Sequence, residues 1–354
     1  MNREVIKKRI KAIRLKLNEK KLDCLIITKA ANVTYTTAFS GDDSWAVITG
    51  RAVYLLTDSR YTEQAQKECV GCKLIQRKDS LAEAAAKLLK KIKSVRTVAV
   101  EKSTSVADFE ALRKHMKLRL KTVADIIESI RINKDNSEIA AIRAAVRIAA
   151  QALEQTLDYI KPGVSESELA GRLDFEIRKS GATNSFETIV AFGPNASRPH
   201  HQPSKRKLKK TDTVLIDFGA RYKGYCCDIT RSFAVGKPTR LFERAYEAVE
   251  QAQAAAIKRI KAGAEIQEVD AAARNVIRKY DLPVYGHGTG HGFGLQIHEM
   301  PFLKADGKGN LKAGEVLTIE PGVYLPGKLG VRIEDDVLVT ETGCEILTHC
   351  CAHT

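Results

Sequence analysis

The sequence predicts two domains: an α/β domain followed by an α+β domain with an internal pseudo-twofold repeat. The chain has 354 residues, more than one typical domain needs, and 44% of them are hydrophobic, which is enough for sizeable cores. In the first part of the chain, apolar segments of strand length alternate with helical segments. The later part repeats a set of motifs at matched spacing, which predicts two similar halves.

The α/β domain is predicted to comprise residues 1–128. Residues 1–21 mix lysines and arginines with isoleucines and leucines, a pattern typical of an amphipathic surface helix, and hold no apolar stretch long enough for a signal peptide or membrane span. Helical stretches, such as residues 81–93, separate four apolar, β-branched segments. These segments predict strands at residues 24–28, 46–49, 52–56 and 97–100.

The α+β domain is predicted to comprise residues 129–354. Near Ile127 the pattern changes to one long helical segment, in which apolar residues recur at helical spacing from residue 139 to residue 149. Asn136 and Ser137 precede this run and are candidate N-caps. We therefore place the domain boundary close to Ile130.

Two copies of one motif each provide two acidic residues. In the first copy an apolar strand leads to Asp217 and a glycine turn, and the next strand leads to Asp228. In the second copy the equivalent acids are Glu320 and Glu334. Upstream, residues 160–168 parallel residues 260–268, and both segments predict a helix end, a short turn and a capped new helix.

The four acids, together with His291, are suitable ligands for two divalent metal ions. Four carboxylates and one imidazole are too many acids for a structural zinc site, but they suit two hard cations that share bridging oxygens. The alternative is that the acids are ordinary strand-end residues beside glycine. Their matched positions and the nearby histidines disfavour that alternative.

Five of the eight histidines lie in two short stretches. Residues 286–294 contain His287 and His291 and are too rich in glycine for a helix, so they predict a tight loop that leads into a strand. A phosphate-binding loop would need a lysine followed directly by a Ser or Thr, and this segment lacks that pair. His298 follows shortly afterwards, and His200 occupies a comparable place in the first repeat, so we expect both at the site.

Composition disfavours two other classes of protein. A net charge of +15 and the basic residues 205–210 raise the question of nucleic-acid binding, but the positive charges are scattered and aromatic residues make up only 6%. We predict a solvated basic surface, with no nucleic acid and no membrane as partners. The eight cysteines lack the framework of a small secreted domain, which predicts reduced thiols and a cytoplasmic location. A lone CxxC at residues 69–72 disfavours a zinc ribbon.

Taken together, these motifs resemble those of the pita-bread metallopeptidases, in particular the aminopeptidase P and prolidase group. Residues 32–41 and 57–61 resemble the creatinase-like N-terminal domain of that group, and residues 130–139 resemble its linker. The segments around the four acids and His291 resemble its metal-binding core. The resemblance covers nearly the whole chain and implies a pita-bread fold for residues 129–354.

The resemblance also implies how the metal ligands are shared. Asp217 would chelate one ion, His291 and Glu320 would bind the other, and Asp228 and Glu334 would bridge both. The family implies manganese or cobalt, and ligation dominated by oxygen agrees with manganese, with zinc as the remaining option.

Catalytic and binding roles follow from the same resemblance. Glu320 would carry a proton to the leaving nitrogen, and His298 would donate a hydrogen bond to the developing oxyanion. His200 would steady the region of the scissile bond. His287 would line the pocket for the residue after that bond, and Arg332 would orient ligand carboxylates.

The implied activity is hydrolysis of the bond between an N-terminal residue and proline in peptides, by a homodimer. We favour an Xaa-Pro aminopeptidase, because some dipeptidases of the group carry an arginine after His-Glu-x-Pro, where this chain has Phe302. The main alternative is an Xaa-Pro dipeptidase (prolidase). More distant alternatives are a methionine aminopeptidase-like enzyme, which usually lacks the N-terminal domain, and a non-catalytic interaction module, which the five retained ligands disfavour.

Overall fold

The computed structural model describes residues 2–349 and divides the chain between Arg131 and Ile132 into two compact units. The predicted boundary, after residue 128, falls inside a short helix that ends the first unit. Cys350 and Cys351, two of the eight cysteines, lie outside the described residues. Within residues 2–349 no helix combines the length and apolarity that a bilayer crossing requires.

The first unit contains a six-stranded mixed sheet and six α-helices among its described residues. Its helices are α1 (Arg3–Glu19), α2 (Ala30–Thr37), α3 (Thr62–Glu68), α4 (Leu81–Lys90), α5 (Val106–His115) and α6 (Glu128–Arg131). Its strands are β1 (Cys24–Ile27), β2 (Trp45–Thr49), β3 (Val53–Thr57), β4 (Lys73–Gln76), β5 (Thr97–Glu101) and β6 (Arg119–Val123). The strand order is β4-β3-β2-β1-β5-β6, with β1 and β2 antiparallel and β1 and β5 parallel.

Four of these strands, β1, β2, β3 and β5, occupy the predicted positions. The sequence pattern does not predict β4 and β6, which form the two edges of the sheet and have no fully buried residue. An edge strand of this kind carries polar residues on both faces, so hydrophobic periodicity does not reveal it. The predicted amphipathic helix is α1, which buries Ile6, Ile10 and Ile13 on one face.

Up to residue 349, the second unit combines four α-helices with small antiparallel sheets. Its helices are α7 (Asn136–Leu157), α8 (Glu166–Lys179), α9 (Arg240–Ile257) and α10 (Ile266–Lys279). Its strands are β7 (Thr183–Asn184), β8 (Ile189–Phe192), β9 (Thr213–Phe218), β10 (Ala220–Tyr222), β11 (Tyr225–Cys226), β12 (Ile229–Ala234), β13 (Gly290–Gly292), β14 (Glu299–Leu303), β15 (Val316–Ile319), β16 (Gly322–Leu325), β17 (Leu329–Arg332), β18 (Asp335–Val339) and β19 (Cys344–Ile346).

Strand order places equivalent segments of the two repeats in separate sheets. The order β12-β9-β8 belongs to the first repeat, and the order β14-β13-β15-β18-β19 belongs to the second. An isolated antiparallel bridge between Thr230 and Glu334 connects the two. Buried apolar residues of α9 and α10 pack with those of β15, β17 and β18 in one core of this unit.

The predicted internal repeat is visible in the backbone. Gly163 and Gly263 occupy equivalent turns with positive φ angles of 102° and 86°, a conformation that favours glycine. The N–H of Gly163 donates to the carbonyl of Leu208 at 2.9 Å, and that of Gly263 donates to the carbonyl of Leu311 at 2.8 Å. The same turn therefore contacts the same point in both copies.

The helix caps differ in part from the prediction. Ser165 caps α8 and forms a capping box with Glu168, as predicted. Glu265 precedes α10 but makes no side-chain cap hydrogen bond, so the predicted cap of that helix is wrong. The cap of α7 is Asp135, which lies one residue before the predicted candidates and accepts from the N–H of Ser137.

Candidate metal centre

The five predicted ligands line one cavity of about 470 Å³ in the second unit. Asp217 lies in β9, opposite Thr230 of β12. The bridge between Thr230 and Glu334 then brings Glu334 beside the same strand. The Cα atoms of Gly292 and Leu317 are paired across β13 and β15, which places His291 close to the end of β15 and therefore to Glu320.

Three of the ligands form a compact group. Ligand atoms of Asp228, His291 and Glu334 all lie within 4.8 Å of one another. The Nε2 atom of His291 is 3.5 Å from Oε1 of Glu320 and 3.8 Å from Oδ2 of Asp228. Asp217 lies outside this three-residue group but lines the same cavity.

The orientation of His291 depends on its glycine-rich segment. Its Nδ1 atom is 3.0 Å from the carbonyl of Gly292 and donates to it, so Nε2 keeps a lone pair that faces the acids. A Cβ atom on Gly290 would lie 1.8 Å from the carbonyl oxygen of Thr318. Only glycine permits this approach of β13 to β15, which explains one of the glycines around the histidine.

Two acids are held by residues from the opposite repeat. Arg332 donates to Oδ2 of Asp217 at 2.6 Å, and the hydroxyl of Thr230 donates to Oε2 of Glu334 at 2.6 Å. Arg332 also donates to the hydroxyls of Thr230 and Tyr324 at 3.1 and 2.8 Å. Its guanidinium is therefore bound by the protein itself, and its contact with a ligand carboxylate stays a prediction.

Burial of several carboxylates in one place raises their pKa values. The pKa values of Asp228 and Glu334 lie well above the ordinary range, first because both are buried and then because neighbouring carboxylates repel a second negative charge. Burial also raises the pKa of Glu320 to about 8. The pKa of His291 is lowered to about 4, mainly by burial, so this imidazole is neutral at pH 7 and able to act as a ligand.

The residues present fit a centre of divalent cations. Oδ1 of Asp217 and Oδ1 of Asp228 are buried and have no hydrogen-bond partner among the described residues. Buried carboxylate oxygens without a partner are costly unless a cation binds them. Oxygen donors with one imidazole nitrogen are the ligand type that manganese, cobalt and zinc accept.

The other predicted histidines also line the cavity. His298 is exposed, and its ring lies edge-on to that of His291, with the two centroids 4.5 Å apart. Although the residue as a whole is exposed, partial burial of its ring and, after that, the nearby His200 lower the pKa of His298. His200 is exposed at the same cavity. Both histidines can therefore approach a bound molecule, although their catalytic roles stay predictions.

His287 is held more firmly than the other two. Its Nε2 atom lies 3.0 Å from the hydroxyl of Tyr324, its Nδ1 atom lies 2.8 Å from the carbonyl of Gly288, and its ring stacks on Tyr285 at 4.9 Å. Burial lowers the pKa of His287 to about 4. The ring therefore forms a neutral, fixed wall of the cavity.

Sequence reasoning missed the residues that support the ligands. Thr230, Tyr324 and Asp336 are examples, and the N–H of Asp228 donates to Oδ2 of Asp336 at 3.1 Å. The spacing offered one usable signal, because Thr230 lies two residues after Asp228, which directly precedes β12, and alternate residues of an extended segment share a face. Nothing comparable indicated Tyr324.

Comparison with known proteins agrees with this fold. A family model described as metallopeptidase family M24 matches residues 140–341, and one described as the Creatinase/Prolidase N-terminal domain matches residues 9–133. The Xaa-Pro dipeptidase of Pyrococcus horikoshii is 32% identical over 350 residues, which cover 98% of this chain and 98% of the relative.

Two solved structures are similar over nearly the same length. An Xaa-Pro dipeptidase from Bacillus anthracis has 36% identity and a TM-score of 0.93, covering 97% of this chain and 98% of its own. An X-Pro aminopeptidase from Thermotoga maritima has 35% identity and a TM-score of 0.87, covering 93% of this chain and 97% of its own. The resemblance inferred from the sequence is confirmed: the chain belongs to metallopeptidase family M24 and carries a creatinase/prolidase N-terminal domain ahead of a pita-bread catalytic domain.

Proposed function

We propose that this protein is a metal-dependent Xaa-Pro dipeptidase, which hydrolyses the bond between an N-terminal residue and a C-terminal proline. The observation that carries the proposal is the cavity of about 470 Å³, which has five metal-ligand candidates in its wall. That volume lies within the range of small-molecule pockets. Relatives named as Xaa-Pro dipeptidases match almost the full length of the chain and support the choice of substrate class.

An Xaa-Pro aminopeptidase is the second candidate. Sequence reasoning favoured it because Phe302 stands where some dipeptidases carry an arginine, and the similarity to the enzyme from Thermotoga maritima supports it. The dipeptidase relatives outweigh that single residue. The two activities differ only in whether a residue after proline is accepted.

The proposed centre holds two divalent cations, with manganese favoured over cobalt and zinc. Asp217, Asp228, His291, Glu320 and Glu334 would bind them, with Asp228 and Glu334 shared. The chemistry that such ions supply when bound is acidification of water and polarisation of the substrate carbonyl. The side chains around the centre position the substrate and move protons.

Glu320 is the proposed proton carrier. In the absence of cations, burial raises the pKa of its carboxyl group to about 8. One of its oxygens would accept a proton and release it to the proline nitrogen. His298 and His200, both exposed at the cavity, would donate hydrogen bonds to the substrate carbonyl region.

The assembly and location of the protein remain predictions from the family resemblance. A homodimer predicts a doubled mass in solution, which light scattering measures directly. The cytoplasmic location is likewise a prediction, which fractionation of the source cells would test.

Metal removal tests the proposed function first. Purified protein in excess chelator should lose cleavage of Ala-Pro, and manganese, cobalt or zinc added separately should restore it to different degrees. The Asp228→Asn variant should lose roughly a hundredfold or more in kcat/KM, because it removes a proposed bridging carboxylate. Asp158→Asn, an exposed change elsewhere in the same unit, serves as the matched control.

The choice of substrate distinguishes the dipeptidase from the aminopeptidase. Cleavage confined to Ala-Pro supports the dipeptidase, whereas efficient cleavage of Ala-Pro-Ala supports the aminopeptidase. Activity that persists unchanged in excess chelator would contradict both.

A further inference from the structure

Lys304 places a cationic side chain at the cavity beside the metal centre. The residue follows β14 directly, is exposed and lines the cavity. Sequence reasoning gave this lysine no role. Its position can be derived from the strand that precedes it.

The register of β14 relates Lys304 to the metal-binding histidine. Phe302 is paired with His291 across β13 and β14, so its side chain lies on the same face of the sheet as the imidazole. Leu303, the next residue, is fully buried and points to the opposite face. Lys304, the first residue after the strand, lines the cavity together with Phe302.

The other strongly cationic side chain at the cavity is already bound. Arg332 is 3% exposed and donates to Asp217, Thr230 and Tyr324. Redirecting it to a substrate would break its ion pair with Asp217, in which both side chains are largely buried, and this is costly. Among the cavity residues that the structure describes, Lys304 is thus the better placed cation for an anionic ligand group.

The contact that Lys304 makes within the protein is easily exchanged. Its Nζ atom lies 3.3 Å from Oδ1 of Asp306, with the two side chains 51% and 82% exposed. Ion pairs between side chains this exposed contribute little, so an incoming carboxylate can replace Asp306 at small cost.

We propose that Lys304 binds the C-terminal carboxylate of the substrate and thereby favours peptides that end directly after proline. This inference rests on the proposed function and names a specificity residue for it. The carboxylate of an Xaa-Pro dipeptide follows the scissile bond by one residue, whereas a longer peptide presents a neutral amide at that point. Lys304 supplies the positive charge that the apolar Phe302 does not.

The experiment compares Ala-Pro with Ala-Pro amide, which differ only in the charge of the terminal group. In the Lys304→Met variant, KM for Ala-Pro should rise about tenfold while kcat changes little, because a charge-assisted contact to a non-reacting group contributes to uniform binding. KM for the amide should stay unchanged. Lys304→Arg should keep most of the preference for the dipeptide, since it keeps the cation.

Two controls separate this contact from general effects of charge. Lys308→Met removes an exposed lysine that does not line the cavity, and Asp306→Asn removes the neighbouring acid. Neither should raise KM for Ala-Pro. Thermal unfolding of all four variants establishes that each is folded before its kinetics are compared.

The outcomes distinguish the inference from the function on which it rests. A wild-type enzyme that cleaves Ala-Pro and its amide equally well, or a Lys304→Met variant with an unchanged ratio of the two, overturns the role of Lys304 but leaves the peptidase intact. Absence of any Xaa-Pro cleavage with every metal tested overturns the proposed function, and the inference falls with it.

Discussion

The two halves of the second unit share a turn and a following helix, but they stabilise that turn differently. The first residue of α8 is Glu166, and the equivalent first residue of α10 is Ile266. Glu166 is fully buried and accepts hydrogen bonds from the N–H of Phe192 at 2.8 Å and the N–H of Ser204 at 3.0 Å. His201 lies 2.9 Å from the same carboxylate.

Ile266 fulfils the equivalent role without any polar contact from its side chain. It is 4% exposed and belongs to the core formed by α9, α10 and the neighbouring strands. A Cβ atom on Gly307 would lie 2.6 Å from its Cγ2 atom, so the side chain packs closely against that part of the backbone. One half thus relies on a buried polar network, and the other relies on apolar packing.

The difference has a consequence for the site. Glu166 binds His201, and the adjacent His200 lines the cavity, so the polar network of the first half positions a proposed substrate-binding segment. The two halves therefore share backbone geometry, but the side chain of Glu166 positions the segment that carries His200, whereas the side chain of Ile266 packs in the core. Placing Glu at position 266, or Ile at position 166, should therefore destabilise the corresponding half for a different physical reason in each case.

The largest effect is expected from Ile266→Glu. The new carboxylate would enter an apolar core without hydrogen-bond donors, and we expect a loss of about 4–5 kcal/mol in the free energy of unfolding, or failure to fold. Ile266→Val should cost only about 1 kcal/mol, since it removes one methylene group and leaves the site apolar. Urea unfolding measures both, and equal losses would show that packing alone matters at this position.

A smaller effect is expected from Glu166→Ile, the reverse exchange. The change removes the acceptor for Phe192, His201 and Ser204, and we expect a loss of about 3 kcal/mol together with a higher KM, because the segment that carries His200 loses its anchor. Glu154→Ile, on the exposed face of α7, should change stability by less than about 0.5 kcal/mol. A stable Glu166→Ile variant with normal kinetics would refute the positioning role.

The sequence predicts features that depend on residue type and local spacing. It does not predict hydrogen bonds between residues that lie far apart in the chain. The candidate ligands Asp217, Asp228, Glu320 and Glu334 could be proposed from the sequence because their chemistry is visible in the residue type and their spacing is repeated within the chain. The partners that hold them could not, since Thr230 and Glu334 are 104 positions apart and meet only in the folded sheet.

The same limit applies to the turn residues compared above. The sequence aligned Glu166 with Ile266, but it gave no sign that the first is hydrogen-bonded to a residue 35 positions away. Lys304 carried no motif at all, and its place at the cavity depends on the register between β13 and β14. The local sequence pattern predicts secondary-structure elements and the kind of metal ligand that a residue can provide. Contacts between segments that are distant in sequence become visible only in the tertiary structure.

The smallest effect expected is in the pH dependence of the first half. Burial raises the pKa of Glu166, but hydrogen bonds from Ser204, His201, Asn195 and the N–H of Phe192 outweigh it, and the net direction is downward. The folded state therefore favours the ionised carboxylate. Its contribution to stability is complete above the ordinary pKa of an unfolded glutamic acid, near 4.5, and is lost as the pH falls through the lower pKa of the folded state.

Comparing wild type with Glu166→Gln isolates this contribution, because the glutamine cannot titrate. Below about pH 5, the difference in unfolding free energy between the two should shrink as the pH falls. Measuring both in excess chelator keeps the metal content equal, and the buried acids at the cavity titrate alike in both proteins and cancel in the difference. If the difference in unfolding free energy between wild type and Glu166→Gln instead grows towards low pH, Glu166 is protonated in the folded state. In that case the first half, like the second, would be stabilised without a buried charge.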